Sequence, residues 1–163
     1  MKSLLYLFLF AFPFVVLKAQ STEEIEKRAE KYLRMEEYSM AIPLLESLYR
    51  NFPENPKYLK KLGRSYLNVS KPEKALEYFL LAYEARDSDL SVLFNLGSIY
   101  DVLDKPDSAV YFFEKYLSLY PEDMRVLNRL AIVYMSMPGF EDSAVNISER
   151  VIFPVSANEK NGI

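Results

Sequence analysis

The chain has no cysteine, no histidine and no tryptophan, and only 4 of its 163 residues are glycine. Without cysteine there is no disulfide, no thiolate nucleophile and no cysteine to carry a lipid behind a leader. Without histidine, serine–histidine and cysteine–histidine catalysis and histidine-ligated metals are excluded for this chain alone. Four glycines supply no phosphate-cradling loop, so no cofactor is expected. Paired acids such as Glu23-Glu24 and Glu36-Glu37 fall at a helix start and a turn rather than in a pocket. These absences speak against an enzyme. Positive charge is also scarce: the net charge is −3, and phosphate contacts need concentrated cations, so general nucleic-acid binding is not expected. The fold must therefore be held by its packed core.

What is present begins with an apolar leader. Lys2 gives a positive start, Leu4 to Leu17 is an apolar run broken only by Pro13, and Ala19 precedes the polar Gln20-Ser21-Thr22. This is the form of a secretory signal peptide over residues 1–19, cut after Ala19, although Leu17 is larger than the residue usual two places before a cut. The expectation is export to a bacterial periplasm or cell envelope, with no membrane span after cleavage. An uncleaved anchor fits less well, because a spanning helix needs about 20 apolar residues.

Beyond the leader the chain is periodic. Tyr32, Tyr66, Tyr100 and Tyr134 recur at one constant interval. Three residues before each stands a small side chain, Ala29, Gly63, Gly97 and Ala131. Ala41, Ala75 and Ala109 keep the interval, and Ala144 follows one residue late. A fixed period of about 34 residues is the mark of a helical solenoid. Each cycle reads as two amphipathic helices. In the second, Leu59, Leu62, Tyr66 and Val69 line one face, and Ala75, Leu76, Phe79, Ala82 and Tyr83 line the next. The break between them holds Ser70 with Glu73 three residues on, a capping-box pattern, and Pro72 in a first-turn position. Ser70 also completes a glycosylation acceptor pattern, Asn68-Val69-Ser70, which the cap explains better. Pro53 and Pro121 end the second helices of cycles one and three, and Asp87 with Ser88 and Asp89 takes that place in cycle two. Glycine in a helix interior costs about 1 kcal/mol against alanine, so Gly63 and Gly97 imply a close helix crossing.

These residues resemble the tetratricopeptide repeat family. The match rests on Leu62-Gly63, Tyr66, Ala75, Phe79 and Ala82, on Leu96-Gly97, Tyr100, Ala109, Phe113 and Pro121, on Ala29, Tyr32, Ala41 and Pro53, and on Leu130-Ala131 and Tyr134. It spans residues 22–152, as cycles near 22–55, 56–89, 90–123 and 124–152, the last incomplete or degenerate after the Met137-Pro138-Gly139 turn. The resemblance implies an all-α, right-handed α-solenoid of about four helix-turn-helix units. It implies that the first helices line a concave groove that binds proteins or peptides.

On that reading the groove carries an acidic rim in cycle one, including Glu23, Glu26 and Glu30, and a basic wall beyond it. The candidate peptide-binding residues are Lys57, Lys60, Lys61, Arg64, Phe94, Asn95, Arg125, Asn128 and Arg129. Some family members hold a peptide's terminal carboxylate in a clamp of Lys, Asn and Arg. Lys60, Arg64, Asn95, Arg125 and Arg129 stand at the equivalent places, with Arg64 replacing an Asn and Arg125 replacing a Lys. Arginine can grip a carboxylate with two parallel hydrogen bonds. The plainer reading is that this is an ordinary solvated helix face.

No capping helix follows the fourth cycle; residues 153–163 are a short tail. The end is either closed by the tail, or open for a homodimer or another partner, or a shortened array. The function expected is an exported, non-enzymatic scaffold binding a protein or peptide in its groove, an acidic segment or C-terminal carboxylate among the candidates. The alternative is an accessory subunit of an envelope enzyme or assembly complex docking through its C-terminal end.

Overall fold

The computed structural model describes residues 21–53, 55–85 and 89–152; the leader, its cut site, Asp87, Ser88 and the tail lie outside them. The described chain is all-α. Helix α1 covers 21–34. It is followed by α2 (Tyr38–Asn51), α3 (Pro56–Asn68), α4 (Pro72–Glu84), α5 (Leu90–Val102), α6 (Pro106–Leu119), α7 (Met124–Met135) and α8 (Glu141–Ile152). They run as sequential antiparallel pairs, a repeat array.

The chain divides into two compact units, Met1–Lys71 and Pro72–Ile163. In the first, α2 packs on α3. In the second, α4 packs on α5, α5 on α6, α6 on α7 and α7 on α8, and α5 also touches α7.

The period reappears in the backbone. Asn55, Asp89 and Asp123, spaced one period apart, are N-caps of α3, α5 and α7, and each carboxyl or amide oxygen accepts the N–H two residues on at 2.9–3.0 Å. The opposite helix ends close in an equally regular way. Glu36, Ser70 and Asp104 have φ of 58°, 56° and 54°, the left-handed region. The N–H groups of Glu37, Lys71 and Lys105 bond the carbonyls of Tyr32, Tyr66 and Tyr100 at 2.9 Å. A second bond runs from the left-handed residue to the carbonyl three before it. This is the Schellman closure of a helix. The expectation that Ser70 caps the start of α4 is thereby corrected: its φ of 56° makes it the terminating residue of α3, and an N-cap needs extended backbone. The fourth cycle departs. Its extra residue moves the left-handed corner to Gly139 (φ 85°), and Met137 N–H bonds Tyr134 at 3.0 Å in a tighter turn.

The core follows the sequence pattern. Ala41, Ala75, Ala109, Leu62, Leu96, Phe79 and Phe113 are fully buried. A Cβ added to Gly97 would lie 2.6 Å from Phe113 Cε1, so the close approach of α5 and α6 is real and the missing side chain permits it. Tyr66 and Tyr134 bury their rings and keep their hydroxyls bonded. Tyr66 donates to Glu46 Oε1 at 2.6 Å and Tyr134 to Glu114 Oε1 at 2.7 Å. Tyr100 instead stacks flat on Phe112, with centroids 5.5 Å apart. Helix α8 buries Ala144 and Ile147.

Candidate functional site

The nine groove candidates fall into two sets, one in each unit. Lys57, Lys60, Lys61 and Arg64 lie along α3. Their spacing follows the α-helical pitch, which sets Lys57, Lys60, Lys61 and Arg64 on one stripe. Lys57 Nζ pairs with Glu26 Oε1 on α1, and Lys61 Nζ pairs with Glu30 Oε1 one turn further along. Tyr58 adds a long hydroxyl bond to Glu26 Oε2 at 3.4 Å. The hydrogen bond from Lys57 holds the Glu26 carboxyl below the usual range, and Glu26 in return holds the Lys57 ammonium above its own. Burial pushes Lys61 down. Lys60 is half-buried and Arg64 exposed. An open depression of about 660 Å³ runs beside these pairs, lined by Glu23, Glu26, Lys27, Glu30, Lys31, Arg34 and Lys57. Glu23 and Lys27 close a further pair at 2.8 Å.

Phe94, Asn95, Arg125, Asn128 and Arg129 lie on α5 and α7, which touch. Phe94 is half-buried against Phe113, and the Arg125 guanidinium carbon sits 5.7 Å from the Phe94 ring centroid. That is a cation–π distance. Arg125 also pairs with Asp123 at 2.9 Å, and Arg129 approaches Asp101 at 3.7 Å. The Asn95 amide turns back onto its own helix, donating to Ser91 O at 2.6 Å. Asn128 is exposed. One turn from Asn95, the Ser98 Oγ is buried without a protein partner.

The separation into an acidic rim and a basic wall is therefore not what the structure shows. Within the first unit Glu26 and Glu30 of the rim pair with Lys57 and Lys61 of the wall. Within the second, Asp123 pairs with Arg125 and Asp101 with Arg129. The sequence reading named neither aspartate. For three other contacts a signal was available: Glu26 and Lys57, Glu30 and Lys61, and Phe94 and Arg125 all share one separation, slightly shorter than the period. That offset pairs one first helix with the next. Among the described residues no group of acids could hold a metal, and no helix is long and apolar enough to cross a membrane.

A tetratricopeptide repeat model matches residues 27–89 and 60–124. The chain belongs to the tetratricopeptide repeat family. Members of this family are typically non-enzymatic scaffolds for protein–protein interaction, and this chain is a scaffold of that family. A tetratricopeptide array also explains why so many features share one period. No curated protein sequence matches. Among solved structures, the MamA protein superposes with a TM-score of 0.76 at 22% identity, over 82% of this chain and 73% of that one. A MamA from Desulfovibrio magneticus RS-1 gives 0.75 at 15% identity, over 80% and 73%. The first tetratricopeptide domain of Spaghetti (RPAP3), bound to the HSP90 peptide SRMEEVD, gives 0.65 at 21%, over 72% and 93%. At these identities the likeness is one of fold.

Proposed function

We propose that this chain is an exported tetratricopeptide adaptor that holds a protein segment on its first-helix faces, with the α5–α7 face as the principal contact. The observation that carries this is the juxtaposition of Phe94 and Arg125. A half-buried ring roofed by a guanidinium offers an apolar seat beside a cation. Asn95, Asn128 and Arg129 lie along the same two helices as donors. That chemistry fits a peptide with an apolar side chain next to a carboxylate, such as an acidic segment or a chain terminus. A similarly folded domain that carries an acidic peptide supports the reading. The ion pairs on these faces set its terms, since an incoming carboxylate competes with Asp101 and Asp123 and the expected affinity is modest.

Calorimetry with an acidic heptapeptide bearing a free C-terminal carboxylate, against the same peptide amidated, tests it. Phe94→Ala with Arg129→Ala should weaken binding by about tenfold, as expected for loss of a charge-assisted contact and an aromatic seat. Equal affinity in the wild type and the double variant would remove the proposal. Export is tested separately, by the cell fraction in which the chain accumulates and by its N-terminal residue there. The alternative, an accessory subunit or homodimer docking through the C-terminal end, requires the α7–α8 surface to be uncovered in solution.

A further inference from the structure

One side-chain cluster of the second unit breaks the period. On α6, Tyr111, Lys115 and Leu119 stand one turn apart, a stripe about 12 Å long. Tyr111 is 53% exposed, Leu119 is 60% exposed, and Lys115 lies exposed between them. One period earlier the same places hold Glu77, Leu81 and Ala85, and one before that Pro43, Ser47 and Asn51. A residue that the repeat needs for its packing recurs with the repeat, as the buried Ala109 of this helix does. The stripe does not recur, so the repeat fold gives no reason for it.

Lys115 is held in place, but by rings. Its Nζ donates to the Tyr83 hydroxyl of α4, and lies 4.9 Å from the Tyr83 ring centroid and 5.6 Å from that of Tyr111. Both are cation–π distances. The two tyrosines rest in turn on the buried Phe112, each nearly perpendicular to it, with centroids 5.5 Å away for Tyr83 and 5.0 Å for Tyr111. The hydrogen bond from Lys115 holds the Tyr83 phenol below its usual value, and Tyr83 in return holds the Lys115 ammonium above its own. Among the described residues no carboxylate pairs with this ammonium. In that it differs from Lys57, Lys61, Arg125 and Arg129, each of which meets an acid. A fixed, uncompensated cation between an exposed ring and an exposed leucine is complementary to an acidic side chain flanked by apolar ones.

We propose that the Tyr111–Lys115–Leu119 stripe, with Tyr83 beside it, is a second docking surface whose occupant is an amphipathic helix of a protein partner, carrying a carboxylate between two apolar residues. A helix laid along α6 offers side chains at the same one-turn spacing. Its carboxylate reaches Lys115 while the neighbours one turn away cover Tyr111 and Leu119. A ring and a cation already held in position lose little freedom on binding, so more of their contact energy is kept. The surface lies on second helices and the Phe94 contact on first helices, so an adaptor using both joins two proteins.

The probe is a fluorescently labelled helical peptide with both termini blocked, bearing leucine, glutamate and leucine one turn apart on one face. Its control carries glutamine for the glutamate. Anisotropy should show the glutamate peptide binding the wild type several-fold more tightly than the control. Tyr111→Ala with Lys115→Gln should weaken it by about tenfold. Lys115→Gln alone, at an exposed position, should keep the helical circular dichroism and erase the preference for glutamate. Phe94→Ala with Arg129→Ala should leave the affinity unchanged. No binding to the wild type, or equal affinity in the wild type and Lys115→Gln, would overturn the proposal. So would loss of binding in the Phe94 and Arg129 variant, which would assign the peptide to the first-helix face.

Discussion

The Tyr134 hydroxyl donates a 2.7 Å hydrogen bond to Glu114 Oε1, and Tyr66 makes the same bond to Glu46, at the same separation in sequence. Tyr66 and Tyr134 are thus each both a core ring and a tie between consecutive helices. Burial, with help from Glu114, pushes the Tyr134 phenol up to about 12 from 10.0. The neutral phenol is favoured in the folded state, so this stabilisation is complete below pH 10 and is lost as pH rises to about 12. Tyr134→Phe should cost about 1 kcal/mol at neutral pH. It should also flatten the alkaline loss of stability, measured by urea unfolding across that window.

Asp123 does three things at once. It caps α7 through Arg125 N–H at 3.0 Å, accepts the Tyr116 hydroxyl at 2.7 Å and pairs with the Arg125 guanidinium at 2.9 Å. The Arg125 hydrogen bond is the largest cause of its carboxyl being held at about 2, below 3.8. A depressed carboxyl stabilises the fold above its ordinary value, so this contribution fades as pH falls from 3.8 to about 2. Asp123→Ala should cost ~1–2 kcal/mol, and Asn55→Ala, which loses a cap alone, nearer ~1 kcal/mol. Thermal unfolding of both variants at neutral and acid pH checks the order, and the difference between them should shrink in acid.

At the corners the prediction runs the other way. Ser70 and Asp104 hold left-handed backbone at a cost of roughly 1 kcal/mol each, which glycine avoids. Ser70→Gly and Asp104→Gly should each raise the melting temperature. Gly97→Ala should lower it despite alanine's better helix propensity, because the Phe113 ring is fully buried and cannot move aside. A stabilised Gly97→Ala would mean that α5 and α6 can part.

The first unit offers a test of charge. Glu26→Gln with Glu30→Gln removes the partners of Lys57 and Lys61. Affinity for the acidic heptapeptide should rise and become more sensitive to salt. Titrations at two ionic strengths measure it, and no change in either would confine binding to the second unit.

The helices, their order and the glycine crossing were legible in the sequence because each depends on spacing within a single period. Gly97 and Phe113 illustrate this: a small residue at a fixed place in a helix implies a large neighbour on its partner. The site was legible as a set of residues and not as an electrostatic surface. Lys57 and Arg125 announce charge, but whether that charge is available depends on Glu26 and Asp123, which reach them through folding. Ser70 shows a different limit. Its hydroxyl and the glutamate beyond it fit a helix start, while its backbone torsion, which no side chain declares, makes it a helix end.

The corners at Glu36, Ser70 and Asp104 are closed by main-chain groups, and three unrelated side chains occupy them. A junction of this kind is closed without a hydrogen bond from the side chain that stands there. A block one period long could then be copied in tandem and join its neighbours without any repair of the seam. The array can lengthen or shorten by whole units while its individual positions drift freely.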